Sequence, residues 1–395
     1  MRTVVEERRE TPVVAEADVA VIGAGTAGFV AALAAARNGA RTALIERWGY
    51  AGGAAVGGLV ITIPEAAGIW GIEREFHERL LARGGAICVP LPNGNNHVHL
   101  SAPDCKILGD EMLREAGVTV YYHSLCVAVV RSGAGVEAII MENKSGRQAV
   151  CARVFVDATG DGDVAARAGV PFTLGDGRGN MEAVTTMYMV AGADKAAYMA
   201  RPPVRNKLPG RTSAIAFTEV HPGEVNCWGG RVHGDGTDVR ELTRMEMELR
   251  AQIREEFANM RRYFPGFAQA YISCLAEQMG VRETRHVHAD YMVTRADMDS
   301  GRRFPDSIGQ CWQASVPYRS LCALGMDNLL LAGRCIGAES AACGPLRIVP
   351  NCCTTGQAAG TAAALAATAH RGVVRQVDVS TIQQTLRKQG VELGI

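Results

Sequence analysis

The residues with the clearest chemical potential lie near the start of the chain. Val19-Ala20-Val21-Ile22-Gly23-Ala24-Gly25-Thr26-Ala27-Gly28 sets G-x-G-x-x-G between a β-branched apolar run and an Ala-rich run. In a strand–turn–helix, Gly23 permits the tight turn, Gly25 lets the backbone come up against a diphosphate, and Gly28 lets helix and strand pack closely. The first-turn N–H groups, at Thr26 and Ala27, then offer an anion the positive end of the helix dipole. Glu46 ends the next apolar run, where a carboxylate can accept both hydroxyls of an adenosine ribose. Arg47-Trp48-Gly49-Tyr50-Ala51-Gly52-Gly53-Ala54 follows. Its Gly pair suits an extended FAD passing its ribitol toward the ring, a passage that a nicotinamide dehydrogenase does not need. FAD is therefore the expected cofactor.

A second group of chemical side chains, Arg282, Arg285, His286 and His288, falls in one segment. Arginine can polarise a hydroxyl, carbonyl or carboxylate, and histidine can act as a base near neutral pH. In a regular strand Arg282, His286 and His288 share one face and Arg285 takes the other. His97-Val98-His99 sits in the polar stretch Asn93–His99. No carboxylate or third histidine lies at supporting spacing, so the stretch is expected to be a surface loop and no metal site is expected. The 12 cysteines form no C-x-x-C and read as reduced thiols of a cytoplasmic protein.

These groups need a scaffold, and the pattern supplies one. Asp18–Ile22, the Gly turn, Thr26–Asn38 and Thr42–Ile45 make a βαβ unit. Helices are expected over Ile72–Leu81 and Asp104–Ala116, then strands over Val118–Val130, Val136–Met141 and Ala149–Val156 as a meander. After Pro171 the composition turns aromatic. Val239–Tyr263 reads as a long helix with Leu242, Met245, Leu249, Ile253, Phe257 and Met260 on its buried stripe. Leu329–Leu331 (strand) and Thr355–Ala369 (small-residue helix) return the chain to its first domain. The expected fold class is α/β: a discontinuous Rossmann-type FAD-binding domain (18–170 and 326–395) with a β-meander and an inserted α+β substrate domain (171–325). Residues 1–17 form an N-terminal arm.

Composition weighs against other roles. Lys plus Arg and Asp plus Glu number 41 each, so no net field favours nucleic acid or an anionic membrane. Met1–Glu10 is too charged for a secretory signal, and the last apolar run, Cys352–Ala369, has too little bulk to span a bilayer. The expected partner is a small-molecule substrate, with a homo-oligomer left open.

Four stretches together resemble a known family: Gly23 through Glu46-Arg47; Val156-Asp157-Ala158-Thr159-Gly160-Asp161-Gly162-Asp163; Met279–Arg285; and Asn328–Cys335 continuing through Arg347 to Gly360. They resemble the FAD-dependent oxidoreductases, distantly similar to the fumarate reductase and glutathione reductase flavoproteins. The resemblance implies that Ala158, Thr159 and Gly160 line the adenosine–diphosphate side, that Val127 offers backbone to adenine, and that Gly333 and Arg334 follow the ribitol. It implies a helix starting near Thr355 and Gly356 with its N-terminus on the flavin pyrimidine, and it brings Arg347 to the ring, as a catalytic residue or a contact to FAD. Related, longer members carry more residues between Phe304-Pro305-Asp306 and Pro317-Tyr318-Arg319, often with a histidine. Here Ser307–Val316 has none, so no proton relay is transferred to it.

Three reaction types can be weighed. A flavin-disulfide reductase needs a redox cysteine in the Gly-rich passage, and Gly52–Gly58 has none. A monooxygenase of the aromatic-hydroxylating type would show Gly-Asp where this chain has Gly333-Arg334, and is the alternative. Hydride transfer between a small organic substrate and flavin N5, as dehydrogenation or reduction, is favoured, with Arg347, His286, Arg285 and Arg282 as candidate catalytic residues. An RNA-modifying or non-enzymatic flavoprotein is the second alternative.

Overall fold

The computed structural model describes residues 2–5, 7–91, 94–204 and 207–395. Its main sheet has seven strands among these residues. Val13–Ile22 runs at the centre, parallel to Thr42–Ile45 on one side and to Gly146–Asp157 on the other, and Thr119–Tyr121 extends the parallel edge. The strand Gly146–Asp157 joins two architectures on one edge. Its first half pairs antiparallel with Gly135–Asn143, which in turn pairs with Leu125–Ser132. Its last residues, Phe155–Asp157, pair parallel with Leu329–Leu331. Register therefore brings Ile22, Ile45, Asp157 and Leu331 to one rim, the carboxyl ends of parallel strands, where open α/β sheets bind ligands.

Two helices cover the sheet with their backbones nearly touching. Thr26–Arg37 and Val349–Ala369 are rich in Ala, Gly and Thr, and a Cβ on Gly356 or Gly360 would overlap the carbonyl of Ala27 or Ala31. Small residues are what permit this approach, and the seam is buried almost throughout. The remainder of this unit includes a three-stranded antiparallel sheet of Thr62–Pro64, Asn96–Leu100 and Ala86–Pro90.

The insertion is an antiparallel sheet in the order Ala214–Phe217, Val225–Trp228, Met187–Ala191, Tyr271–Leu275, with the helix Val239–Tyr263 on one face. Asp238 caps that helix by accepting the N–H groups of Arg240 and Glu241 at 2.7 and 3.1 Å, and Met245, Leu249, Ile253 and Met260 are its buried stripe, while Leu242 and Phe257 are only partly buried. Alternating apolar residues of the strands, Tyr188, Val190, Val225 and Cys227, complete a separate core.

Several expectations shift. The strand of the Gly turn begins at Val13, not Asp18, because Val13–Ala17 pair with residues 149–152 instead of forming an arm; Met1 and Glu6 of that arm lie outside the described residues. The run Val118–Val130 breaks at His123, whose φ of 53° turns the chain out of the parallel sheet and into the meander. Residues 287–325, assigned by composition to the insertion, contribute Val287, Val293, Ile308, Val316 and Tyr318 to the same core as the main sheet. The helix expected from Thr355 starts at Val349, with Pro350 in its first turn, a position where a missing N–H costs nothing. His97 and His99 lie in the strand Asn96–Leu100, paired on both sides, not in a surface loop; His99 is buried with Nδ1 2.8 Å from the Thr218 carbonyl. Asn93 of that stretch lies outside the described residues.

Candidate functional site

The four strand ends open into a cleft of about 420 Å³ that runs from the Gly turn to the insertion. At one end, Gly23 has φ +92° and its Cβ would stand 2.5 Å from the Ala158 carbonyl oxygen, so only glycine makes this turn without strain. Gly28 is equally constrained, since a Cβ there would overlap the Gly23 carbonyl. Gly25 differs. Its φ of −58° suits any residue, and its Cβ would meet nothing closer than 4.0 Å. It lines the cleft, so the bareness at Gly25 serves space for a ligand and not the fold. The helix Thr26–Arg37 has no side-chain cap, and Thr26 and Ala27 of its first turn line the cleft. Uncapped N–H groups at a helix start attract an anion.

Glu46 follows Ile45 at the neighbouring strand end. It is buried, and accepts the N–H groups of Ala24 at 2.6 Å and Trp48 at 2.8 Å, one on each carboxylate oxygen. Burial pushes this carboxyl up, and the two backbone donors partly offset it. Each oxygen keeps a lone pair, enough for two hydroxyls. Arg47, Gly53 and Ala54 line the cleft beyond it. Gly52 does not: it holds the turn through its N–H to the Ala24 carbonyl at 2.8 Å.

At the third and fourth strand ends, Ala158, Thr159, Gly160, Gly333 and Arg334 line the cleft. Asp157 organises the first three by accepting the Thr159 N–H, the Thr159 hydroxyl and the Ala165 N–H. Arg334 is fixed by its own counter-ion, with Nη2 2.9 Å from Asp161 Oδ1 and Nη1 3.2 Å from Thr284 Oγ1. Burial pushes the Asp161 carboxyl up, but Arg334, Thr284 and Arg47 together outweigh it and hold the group below its ordinary range. Thr355 and Gly356 lie behind the cleft wall. Thr355 Oγ1 accepts the Gly333 N–H at 3.1 Å, and Gly356 sits in the helix seam. Val127 is also outside the wall, its carbonyl accepting Arg167 Nε at 3.3 Å; its neighbours Ser124, Leu125 and Cys126 are the residues that face the cleft.

The other end of the cleft is reached by Arg282 and Arg347, with Trp228, Met187, Thr185 and Gln278. Arg347 is paired through Nη2 with Glu182 at 2.8 Å, while its Nε has no partner among the described residues. Arg282 Nη1 donates to the Ala183 carbonyl. Burial, with the like charges of Arg347 and Arg231, pushes the Arg282 guanidinium down to about 10. Arg285 and His286 are not brought to the cleft. Arg285 is bound to the Asp161 carbonyl at 2.9 Å and to Asp163 at 3.1 Å. His286 is buried with Nε2 2.9 Å from Glu283 Oε1, an oxygen that also accepts from Ser340. Cys352 faces the cleft, but burial pushes its thiol up to about 12 and that of Cys343 up to about 11, so neither is a thiolate at neutral pH.

A second, smaller cavity of about 40 Å³ lies on the far side of Thr26 and Val349, which border both. Glu73 and His77, one turn apart on the helix Gly71–Ala82, reach into it. Neither Glu73 oxygen nor His77 Nδ1 has a hydrogen-bond partner among the described residues, and only the weak thiol donor of Cys353 lies beside Glu73. Burial raises the Glu73 carboxyl well above its ordinary value and lowers His77 to about 4.

Comparison with known proteins is consistent with this geometry. The family of FAD dependent oxidoreductases matches residues 18–314 and 312–386. The chain belongs to that family. FAD is its cofactor, and the bare Gly25, the uncapped helix start and the buried Glu46 fit a dinucleotide diphosphate and ribose. No curated protein matches the chain in sequence. Among solved structures, a geranylgeranyl bacteriochlorophyll reductase-like protein of Thermoplasma acidophilum is 13% identical at a TM-score of 0.54, over 96% of this chain and 85% of that one. A p-nitrophenol 4-monooxygenase of Pseudomonas putida is 14% identical at 0.51, over 96% and 84%. Likeness at this identity is a likeness of fold. Among the described residues no helix is long and apolar enough to cross a membrane.

Proposed function

We propose that this oxidoreductase dehydrogenates or reduces a small organic molecule held at the Arg282–Arg347 end of the cleft. The observation that carries the reading is the continuity of one cleft from the glycine turn to those two arginines. Bound FAD supplies a ring that takes up or gives back a hydride at N5. Gly23, Gly25, Thr26 and Ala27 would hold its diphosphate, Glu46 its ribose, and Ala158–Gly160 with Gly333 and Arg334 its middle length. The helix Val349–Ala369 opens at the cleft with Ile348 and Val349 in its wall and no side-chain cap, so its positive end favours negative charge there. Arg282 and Arg347 would orient and polarise the substrate. Met187, Trp228 and Met279 present apolar surface beside them and limit water around the reacting carbon.

The test is anaerobic mixing of the FAD-loaded protein with a panel of metabolites. Loss of oxidised-flavin absorbance with at least one of them is the expected result. If no compound bleaches the flavin anaerobically, while in a parallel aerobic assay with NAD(P)H one of them stimulates NAD(P)H consumption with oxygen incorporation, the chain is a monooxygenase and the reading is wrong.

A further inference from the structure

Resting on the reading above, the charge pattern at the substrate end identifies what is held there. Arg282 has a backbone carbonyl as its hydrogen-bond partner and no ion pair with a carboxylate among the described residues. Two more arginines, Arg347 and Arg231, lie close enough to disfavour its charge. One acid, Glu182, sits near enough to offset them, and it is bound to Arg347. Its side chain is 45% exposed against 23% for Arg347, so much of its field is lost to water. The next acid along the chain, Glu283, is taken up by His286, Ser340 and the Glu182 N–H. At the same spot Arg347 Nε lacks a partner among the described residues and the uncapped helix beginning at Val349 adds a positive end.

A partly buried cation without a counter-ion is costly and is retained where an anion completes it. Arg334 shows what this fold does with an arginine that needs no ligand: it supplies Asp161 at 2.9 Å. Among the described residues no equivalent acid is paired with Arg282. We propose that Arg282 and Arg347 receive the carboxylate of an organic acid, so that this end of the cleft selects carboxylate substrates over neutral ones. A planar guanidinium matches a planar carboxylate through two parallel N–H bonds. The apolar neighbours Met187, Trp228 and Met279 suit the carbon body of such an acid, and not a fully hydrated inorganic ion.

The experiment is titration calorimetry on the FAD-loaded protein with benzoate, its neutral isostere benzamide, succinate and inorganic phosphate. At least one of the two carboxylates should bind, benzoate should exceed benzamide by at least about 30-fold, the scale set by an unpaired buried charge partner, and affinity should fall with added salt. Arg282→Met should abolish this preference while keeping FAD, and Arg282→Lys should restore part of it. Benzoate and benzamide binding alike, no binding by either carboxylate, or Arg282→Met leaving the preference intact would overturn the proposal. Phosphate binding more tightly than both carboxylates would overturn it in favour of a phosphate-bearing ligand. Carboxylates that bind without any compound reducing the flavin would leave this site standing and sink the dehydrogenation-or-reduction reading. Neutral compounds that reduce the flavin while no carboxylate binds would do the reverse.

Discussion

Arg334 and Arg282 stand at two stations of the same cleft and are treated in opposite ways. Arg334 is largely enclosed and comes with an equally enclosed partner, Asp161, and a hydroxyl from Thr284. Arg282 is also drawn from water but meets a carbonyl and two like charges. The first arrangement is complete without a ligand, so it fixes the wall along which a resident cofactor lies. The second is left unfinished, as expected where a ligand comes and goes. One protein thus uses the same side chain as structure and as receptor, and the difference lies in the counter-ion.

Removing the counter-ion should break this comparison with the largest effect. Asp161→Asn leaves the largely enclosed Arg334 without its counter-ion, and a loss of about 3 kcal/mol in unfolding free energy is expected by denaturant titration. Arg334→Met should cost a similar amount by stranding Asp161, and the double variant should recover much of it, as a double-mutant cycle would read.

The small cavity extends the contrast to Glu73 and His77, which have no ionic partner among the described residues and no open cleft. His77 is 5% exposed and is lowered from 6.5 to about 4. Below an ordinary histidine's pKa the unfolded chain takes up a proton that the folded one refuses. Stability should therefore fall as pH drops from about 6.5 toward 4, by up to about 3 kcal/mol, and His77→Phe should flatten that limb. Glu73 works in the other direction. Its folded value is raised above 4.5, so its cost is absent below pH 4.5 and grows as pH climbs toward the folded value. Glu73→Gln should raise the thermal midpoint at pH 8 and have less effect at pH 5.

The smallest expected change in stability sharpens the comparison most. Arg282→Met removes a partly buried charge that has no acid to strand, so unfolding free energy should stay within about 1 kcal/mol of wild type or rise. A loss as large as that of Asp161→Asn would mean that Arg282 is as structural as Arg334.

Much of this was legible from local pattern. The apolar run Val19–Ile22, the glycines at 23, 25 and 28, and Glu46 at the next strand end describe a unit whose parts are close in sequence, and the helix Val239–Tyr263 announces itself by its apolar stripe. What local pattern does not carry is pairing between distant segments. Trp228 and Gln278 reach the cleft from separate parts of the insertion, and Arg334 finds Asp161 only because Leu329–Leu331 pairs beside Asp157. Parity along Arg282–His288 misleads for the same reason: the strand there is only Arg285–Val287, so Arg282 lies outside it and reaches the cleft while His286 turns to Glu283. Glu73 and His77 read as ordinary polar residues of an amphipathic helix, since nothing nearby reveals that the helix is covered on that side.

The claim on which everything turns is that Gly25 is bare for the sake of a dinucleotide. Flavin content and thermal midpoint should be measured together on wild-type protein, FAD-stripped wild-type protein and Gly25→Val. With φ of −58° and no heavy atom within 4 Å except at that limit, the variant should melt with the stripped wild type and carry little or no FAD. A Gly25→Val protein holding as much FAD as wild type would contradict the account.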